Sequence, residues 1–225
     1  MTDQELDQAI TDAVNQPEGQ GLDALVALLD RVQTERTPAD PALARSWDAL
    51  VEVASRSPDD IAAFLHHAER RARWLAAVRG PSDPATIKAW TAVGEAADGE
   101  CAWDVATRAW EAVASAPLDA ADRATQAEIS LALRGLGTRR LAAGRLPEAR
   151  VLFERDVALT ERLHPAPHPQ LALSLGNLAL VLERLGERAP ALQLRERQRG
   201  VLVAGGAAAG LVATVERQIA ALAGA

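Results

Sequence analysis

The chain has 225 residues, 48% hydrophobic and 24% charged, the balance of a folded protein with a water-facing surface. A net charge of −7 argues against general nucleic-acid binding, which needs a basic surface to displace phosphate counterions, and a single cysteine, Cys101, excludes an internal disulfide framework. Tyrosine is absent and phenylalanine occurs twice beside abundant alanine and leucine, so helix is expected rather than sheet.

The opening MTDQELDQ is acidic and lacks the basic-then-apolar order of a secretory signal, which makes the cytoplasm the expected location. Two segments of helical periodicity, Gln4–Asn15 and Leu22–Thr34, form an atypical leading pair within residues 1–36. A first repeat follows over 40–79, opening with DPALARSWDALVEVA, where Asp40 supplies an N-cap acceptor ahead of Pro41. Its second helix opens at Ser57-Pro58-Asp59-Asp60. The second repeat, 83–116, opens in the same way with DPATIKAWTAVGEAA. The third, 119–163, contains TQAEISLALRGLGTRRLAAG from Thr125 and a second helix starting near Pro147-Glu148. The fourth, 168–203, begins HPQLALSLGNLALVLERLG and has its second start near Pro190. The uncharged stretch Gly200–Val215 is shorter than the ~20 residues a membrane-spanning helix needs, so no membrane partner is expected. It reads as a loop followed by a buried helix, with a closing helix over 207–223 that turns Glu216 and Arg217 outwards.

The copies align in register. A large apolar residue recurs at Trp47, Trp90, Leu133 and Leu175, giving periods of 43, 43 and 42. Three residues on stand Leu50, Val93, Leu136 and Leu178, followed by the compact Val51, Gly94, Gly137 and Ala179. Alanine returns twelve residues later at Ala63, Ala106, Ala149 and Ala191, preceded in the last two copies by a loop glycine, Gly144 or Gly186. Self-similarity at a fixed period is the signature of a repeat architecture, and the i, i+3, i+4, i+7 spacing makes each copy a pair of helices. Such arrays need atypical ends, because an internal repeat would expose its stacking face.

The pattern resembles the tetratricopeptide repeat, in the longer form of the kinesin-light-chain-like subfamily. His168-Pro169, Ala172, Leu175, Asn177-Leu178-Ala179, Gly186, Ala191-Leu192 and Leu194 to Arg197 match that subfamily closely, and the likeness extends over about 40–203. Two departures stand out. Arg140 fills a slot where the family buries a tyrosine, and Arg195 replaces the large apolar residue that Trp110 and Phe153 supply in earlier copies.

The resemblance implies an all-α, right-handed solenoid of stacked antiparallel helix pairs whose first helices line a concave groove. The groove face of those helices maps to Arg45, Asp48, Glu52, Lys88, Thr91, Glu95, Arg134, Thr138, Asn177 and Leu180. By resemblance Asn177 bonds the backbone of an extended peptide, since a side-chain amide offers both a donor and an acceptor, although it could equally bond a neighbouring helix. Arg134 could hold a carboxylate in a bidentate fork. The lysine-and-asparagine clamp of chaperone-binding relatives is not reproduced across neighbouring copies.

Other features read more plainly as structure. Trp47, Trp74, Trp90, Trp103 and Trp110 are packing residues, with Trp103 the one expected to be partly exposed. Arg139, Arg140, Arg195, Arg197 and Arg199 read as a solvated helix face, and Cys101 as a buried structural thiol. His66 and His67 are adjacent on a helix and diverge; His164 and His168 flank a proline-rich turn and could approach one another, yet lack further ligands. No nucleotide loop, HExxH or GxSxG occurs, so neither catalysis, a cofactor nor a metal is expected. The resulting expectation is a non-catalytic scaffold that binds another protein or peptide. Its alternatives are a regulatory peptide-sensing adaptor and an accessory subunit of an enzyme complex. The Gly- and Ala-rich closing helix could also pair with its own copy to form a homodimer through 207–222.

Overall fold

The computed structural model describes residues 1–17, 20–56, 60–117, 122–164 and 167–224. Among them run eleven α-helices and no strand: α1 Asp3–Val14, α2 Gln20–Glu35, α3 Pro41–Ser55, α4 Ile61–Arg79, α5 Pro84–Gly99, α6 Trp103–Ala114, α7 Arg123–Ala142, α8 Leu146–Leu163, α9 Pro169–Arg184, α10 Arg188–Ala204 and α11 Ala209–Ala223. The chain divides into two compact units, Met1–Ala109 and Trp110–Ala225, with the division falling inside α6.

Local chemistry sets the helix starts. Asp40 and Asp83 accept from the backbone N–H of Ala42 and Ala85 at 2.8 and 2.9 Å, each ahead of a proline that has no N–H to satisfy. Asp122 caps α7 through Thr125 N at 2.8 Å, and His168 caps α9 through Gln170 N at 3.2 Å. Asp60 accepts from Ala63 N; the rest of the expected Ser57-Pro58-Asp59 start lies outside the described residues.

Helix ends show the same regularity. In four tight turns the N–H of the residue after the turn reaches back five residues: Ala102 to Ala97, Arg145 to Arg140, Glu187 to Leu182 and Ala207 to Leu202, at 2.8–2.9 Å. This is a Schellman closure, which places one residue in the left-handed region. That residue is Cys101 (φ 57°), Gly144 (73°), Gly186 (79°) and Gly206 (67°). Cys101 is exposed, not buried as its sequence context suggested, because the turn holds it outside the helices.

Where these short turns join α7 to α8, α9 to α10 and α10 to α11, the successive helices pack as antiparallel hairpins. In the first unit α1 packs on α2 and α3, α2 on α3, α3 on α4 and α4 on α5; in the second, α7 packs on α8 and reaches α9, α8 packs on α9, α9 on α10 and α10 on α11. The repeating large residues are the core: Trp47, Leu133 and Leu175 are almost wholly buried and Trp90 nearly so. Leu6, Leu25, Leu29, Trp47 and Leu50 form a single cluster in the first unit, and Phe153, Leu171, Leu175 and Val181 another in the second. Compact residues admit close approach. A Cβ on Gly137 would stand 2.7 Å from the Phe153 ring, and one on Gly135 would stand 3.0 Å from Trp110.

Three further expectations are corrected. Gly200–Ala204 is the end of α10 and not a loop, and α11 is mostly exposed, with Val215 alone fully buried on it. Arg195 is buried: Glu183 receives its Nε at 2.7 Å and Gln198 its Nη1 at 3.0 Å, so an ion pair and an amide replace the missing apolar residue. Arg140, half-buried, bonds Glu111 and lies 3.2 Å from Glu148. Among the tryptophans, Trp110 is buried, Trp74 is half-buried and donates to Pro38 O, and Trp103 is 55% exposed.

Candidate functional site

The ten groove candidates separate by unit. On α3, Arg45 bonds Asp7 at 3.0 Å, Asp48 pairs with Arg71 at 2.6 Å, and Glu52 pairs with Arg56 one turn on. On α5, Lys88 and Glu95 are exposed, whereas Thr91 is buried with no hydrogen-bond partner for its hydroxyl among the described residues. Three of the first unit's six candidates are therefore engaged by neighbouring side chains, and a fourth is covered.

In the second unit α7 carries Arg134 and Thr138, and α9, in direct contact with it, carries Asn177 and Leu180. Thr138 is exposed; Leu180 is half-buried against the core. The half-buried Asn177 makes no side-chain hydrogen bond among the described residues, so its amide is uncommitted. Leu173, one turn earlier on α9, is 50% exposed.

Arg134 rests on a buried polar network that pattern reading missed. Asp156 of α8 is fully buried. Ser130 of α7 donates to its Oδ1 at 2.5 Å, Ser174 of α9 donates to its Oδ2 at 2.6 Å, and Thr160 lies 3.4 Å from Oδ1. Arg134 Nη1 donates to Ser130 Oγ at 2.7 Å and to Asp156 at 3.2 Å. A buried carboxylate persists only when its lone pairs are occupied and its charge opposed, and this network does both with side chains from three helices. Arg134 is thereby fixed through one nitrogen, while Nη2 and Nε have no partner among the described residues. The signal was present in the sequence: Asp156 lies three residues after Phe153 and four before Thr160, on the buried stripe of α8.

Histidines border this region. His164 and His168 stack with ring centroids 3.9 Å apart and planes 10° from parallel. Burial, then the charges of His168, Arg123 and Arg134, hold His164 below the ordinary histidine value. No group of three or more metal-ligating side chains occurs among the described residues.

The geometry defines a TPR-like helical repeat fold, and solved structures share it. No family model matches the sequence, nor does any curated protein. A kinesin-light-chain-type protein from Podosopora anserina with nearly identical TPR-like repeats aligns over 88% of this chain and 93% of its own, at 17% identity and a TM-score of 0.54; a point variant of the same protein gives 16% and 0.55 over the same shares. BtubC (BKLC) from P. vanneervenii aligns over 96% of this chain and 82% of its own, at 14% identity and a TM-score of 0.56. At these identities the likeness shows the fold, which is the all-α helical-repeat architecture that the 43-residue period implied. No helix among the described residues is long and apolar enough to cross a membrane.

Proposed function

We propose that the chain is a non-catalytic binding module and that the face shared by α7 and α9 receives an extended segment of another polypeptide. The observation that carries this reading is the pairing of two kinds of recognition group on adjoining helices: an uncommitted amide at Asn177, and a guanidinium at Arg134 whose orientation Asp156 fixes. An amide can donate to and accept from a peptide unit whatever its side chains, and a pre-oriented guanidinium loses little freedom on meeting a carboxylate. The exposed Leu173 adds apolar surface on the same helix. The paired or covered candidates on α3 and α5 make the first unit the weaker choice.

The test begins with selection of binders from a random dodecapeptide display library against the whole chain, followed by calorimetric titration of the enriched peptides. Asn177→Ala with Arg134→Ala should reduce affinity at least tenfold while the helical spectrum is retained. Undiminished affinity in a folded double variant would refute binding on this face.

A further inference from the structure

The junction between α8 and α9 carries a feature that peptide binding does not use. His168 is the N-cap of α9, and its Nδ1 accepts the backbone N–H of Gln170 at 3.2 Å. That bond requires an unprotonated Nδ1, so the cap exists only while His168 is a neutral imidazole. Aspartate caps α3, α5 and α7 and keeps its acceptor to far lower pH. The His168 ring also lies flat against His164, the C-cap residue of α8, at 3.9 Å between centroids.

The charges around the pair leave a proton uncompensated. From α7 come Arg123, which donates to the Leu163 carbonyl at the end of α8, and Arg134, already paired with the buried Asp156. Arg123 thus occupies the carbonyl end that would otherwise reward a cation at His164. On α8, Glu161 is paired with Arg197 of α10. The first turn of α9 has no acidic residue, and helix N-termini repel cations.

We propose that this junction is a pH-operated latch, in which protonation of the stacked pair His164 and His168 removes the imidazole cap from α9 and loosens its first turn. A proton on Nδ1 of His168 breaks the bond to Gln170, and charge on both rings drives the stack apart. The turn released holds the amides of Leu171 and Ala172, which bond the His168 carbonyl at 3.0 and 3.3 Å. It leads within a few residues to Ser174, which donates to Asp156, so the loosening reaches the network beneath Arg134. The latch does not depend on what the α7–α9 face binds.

Amide hydrogen exchange of the whole chain at pH 7.5 and 5.5, corrected for the intrinsic pH dependence of exchange, tests it. Protection at Gln170, Leu171 and Ala172 should fall about five- to tenfold at pH 5.5, the range that loss of a helix cap corresponds to, while amides in the middle of α10 keep theirs. His168→Asn supplies a cap acceptor that does not titrate and should abolish the acid effect; His164→Gln, which removes the stacking partner and leaves the cap, should shrink it. Unchanged protection in the parent chain would overturn the latch. So would acid loosening of equal size in His168→Asn, and an undiminished effect in His164→Gln would overturn the role of the stack.

Discussion

Replacing Cys101 with glycine should stabilise the protein, although it deletes a side chain. Cys101 holds φ at 57° in the position that Gly144, Gly186 and Gly206 fill in the other three turns of the same hydrogen-bond pattern. An L-residue in the left-handed region costs about 1–2 kcal/mol, through the approach of Cβ to the following carbonyl. Glycine removes that cost but gives the unfolded chain extra freedom worth about 0.4–1 kcal/mol. The exposed thiol makes no buried contact to lose. The net gain is therefore about 0.5–1 kcal/mol, a rise of roughly 1–4 °C in Tm for a chain of this length. Thermal melts followed by circular dichroism measure it, with Cys101→Ala as the control that keeps Cβ and hence the strain. Gly144→Ala, the reverse change, should by the same balance lose about 0.5–1 kcal/mol. The reasoning is refuted if Cys101→Ala stabilises as much as Cys101→Gly, or if Cys101→Gly lowers the melting temperature.

Other perturbations probe the second unit and the histidines. Asp156→Ala should cost about 3–5 kcal/mol in urea unfolding because it strands Arg134 and two buried hydroxyls, whereas Ser174→Ala should cost about 1–3 kcal/mol. Gly137→Ala sets a methyl 2.7 Å from the Phe153 ring and should cost about 1–3 kcal/mol by the same assay. Stability should also fall with acid. Burial holds both His67 and His164 below the ordinary histidine value of 6.5, so the unfolded chain binds more protons as pH drops through that value. The stabilisation they give is complete above about 6.5 and is lost as pH falls toward their folded values. Melts at pH 7.5 and 5.5 should differ accordingly, and a His67→Gln, His164→Gln chain should show a smaller difference.

The parts of the fold that were legible from sequence are those fixed by local chemistry. Asp40-Pro41 and Asp83-Pro84 start helices by capping, and the spacing of Trp47, Trp90, Leu133 and Leu175 marks the buried stripe because packing recurs with the repeat. What was hidden depends on partners distant in sequence. Arg195 looked solvent-exposed as one of a run of arginines, yet Glu183 and Gln198 receive it inside. Asp156 reads as an ordinary charged helix residue until Ser130 and Ser174 are seen to converge on it from 26 and 18 positions away. Cys101 resembled a small buried residue because its alignment with Gly144 and Gly186 becomes informative only once the turn's positive φ is known. Among the site residues, the mapping put Arg134 and Asn177 on adjoining helices, but whether a side chain such as Asp48 or Arg45 is already paired could not be read from a helical wheel.

The most direct test of peptide binding on the α7–α9 face is a crystal structure or intermolecular NMR contacts for the whole chain with a peptide taken from the dodecapeptide selection. An extended backbone within hydrogen-bond distance of the Asn177 amide, with a carboxylate on Arg134, is the predicted result. A peptide seated elsewhere, with both side chains left as they stand in the free protein, would contradict it.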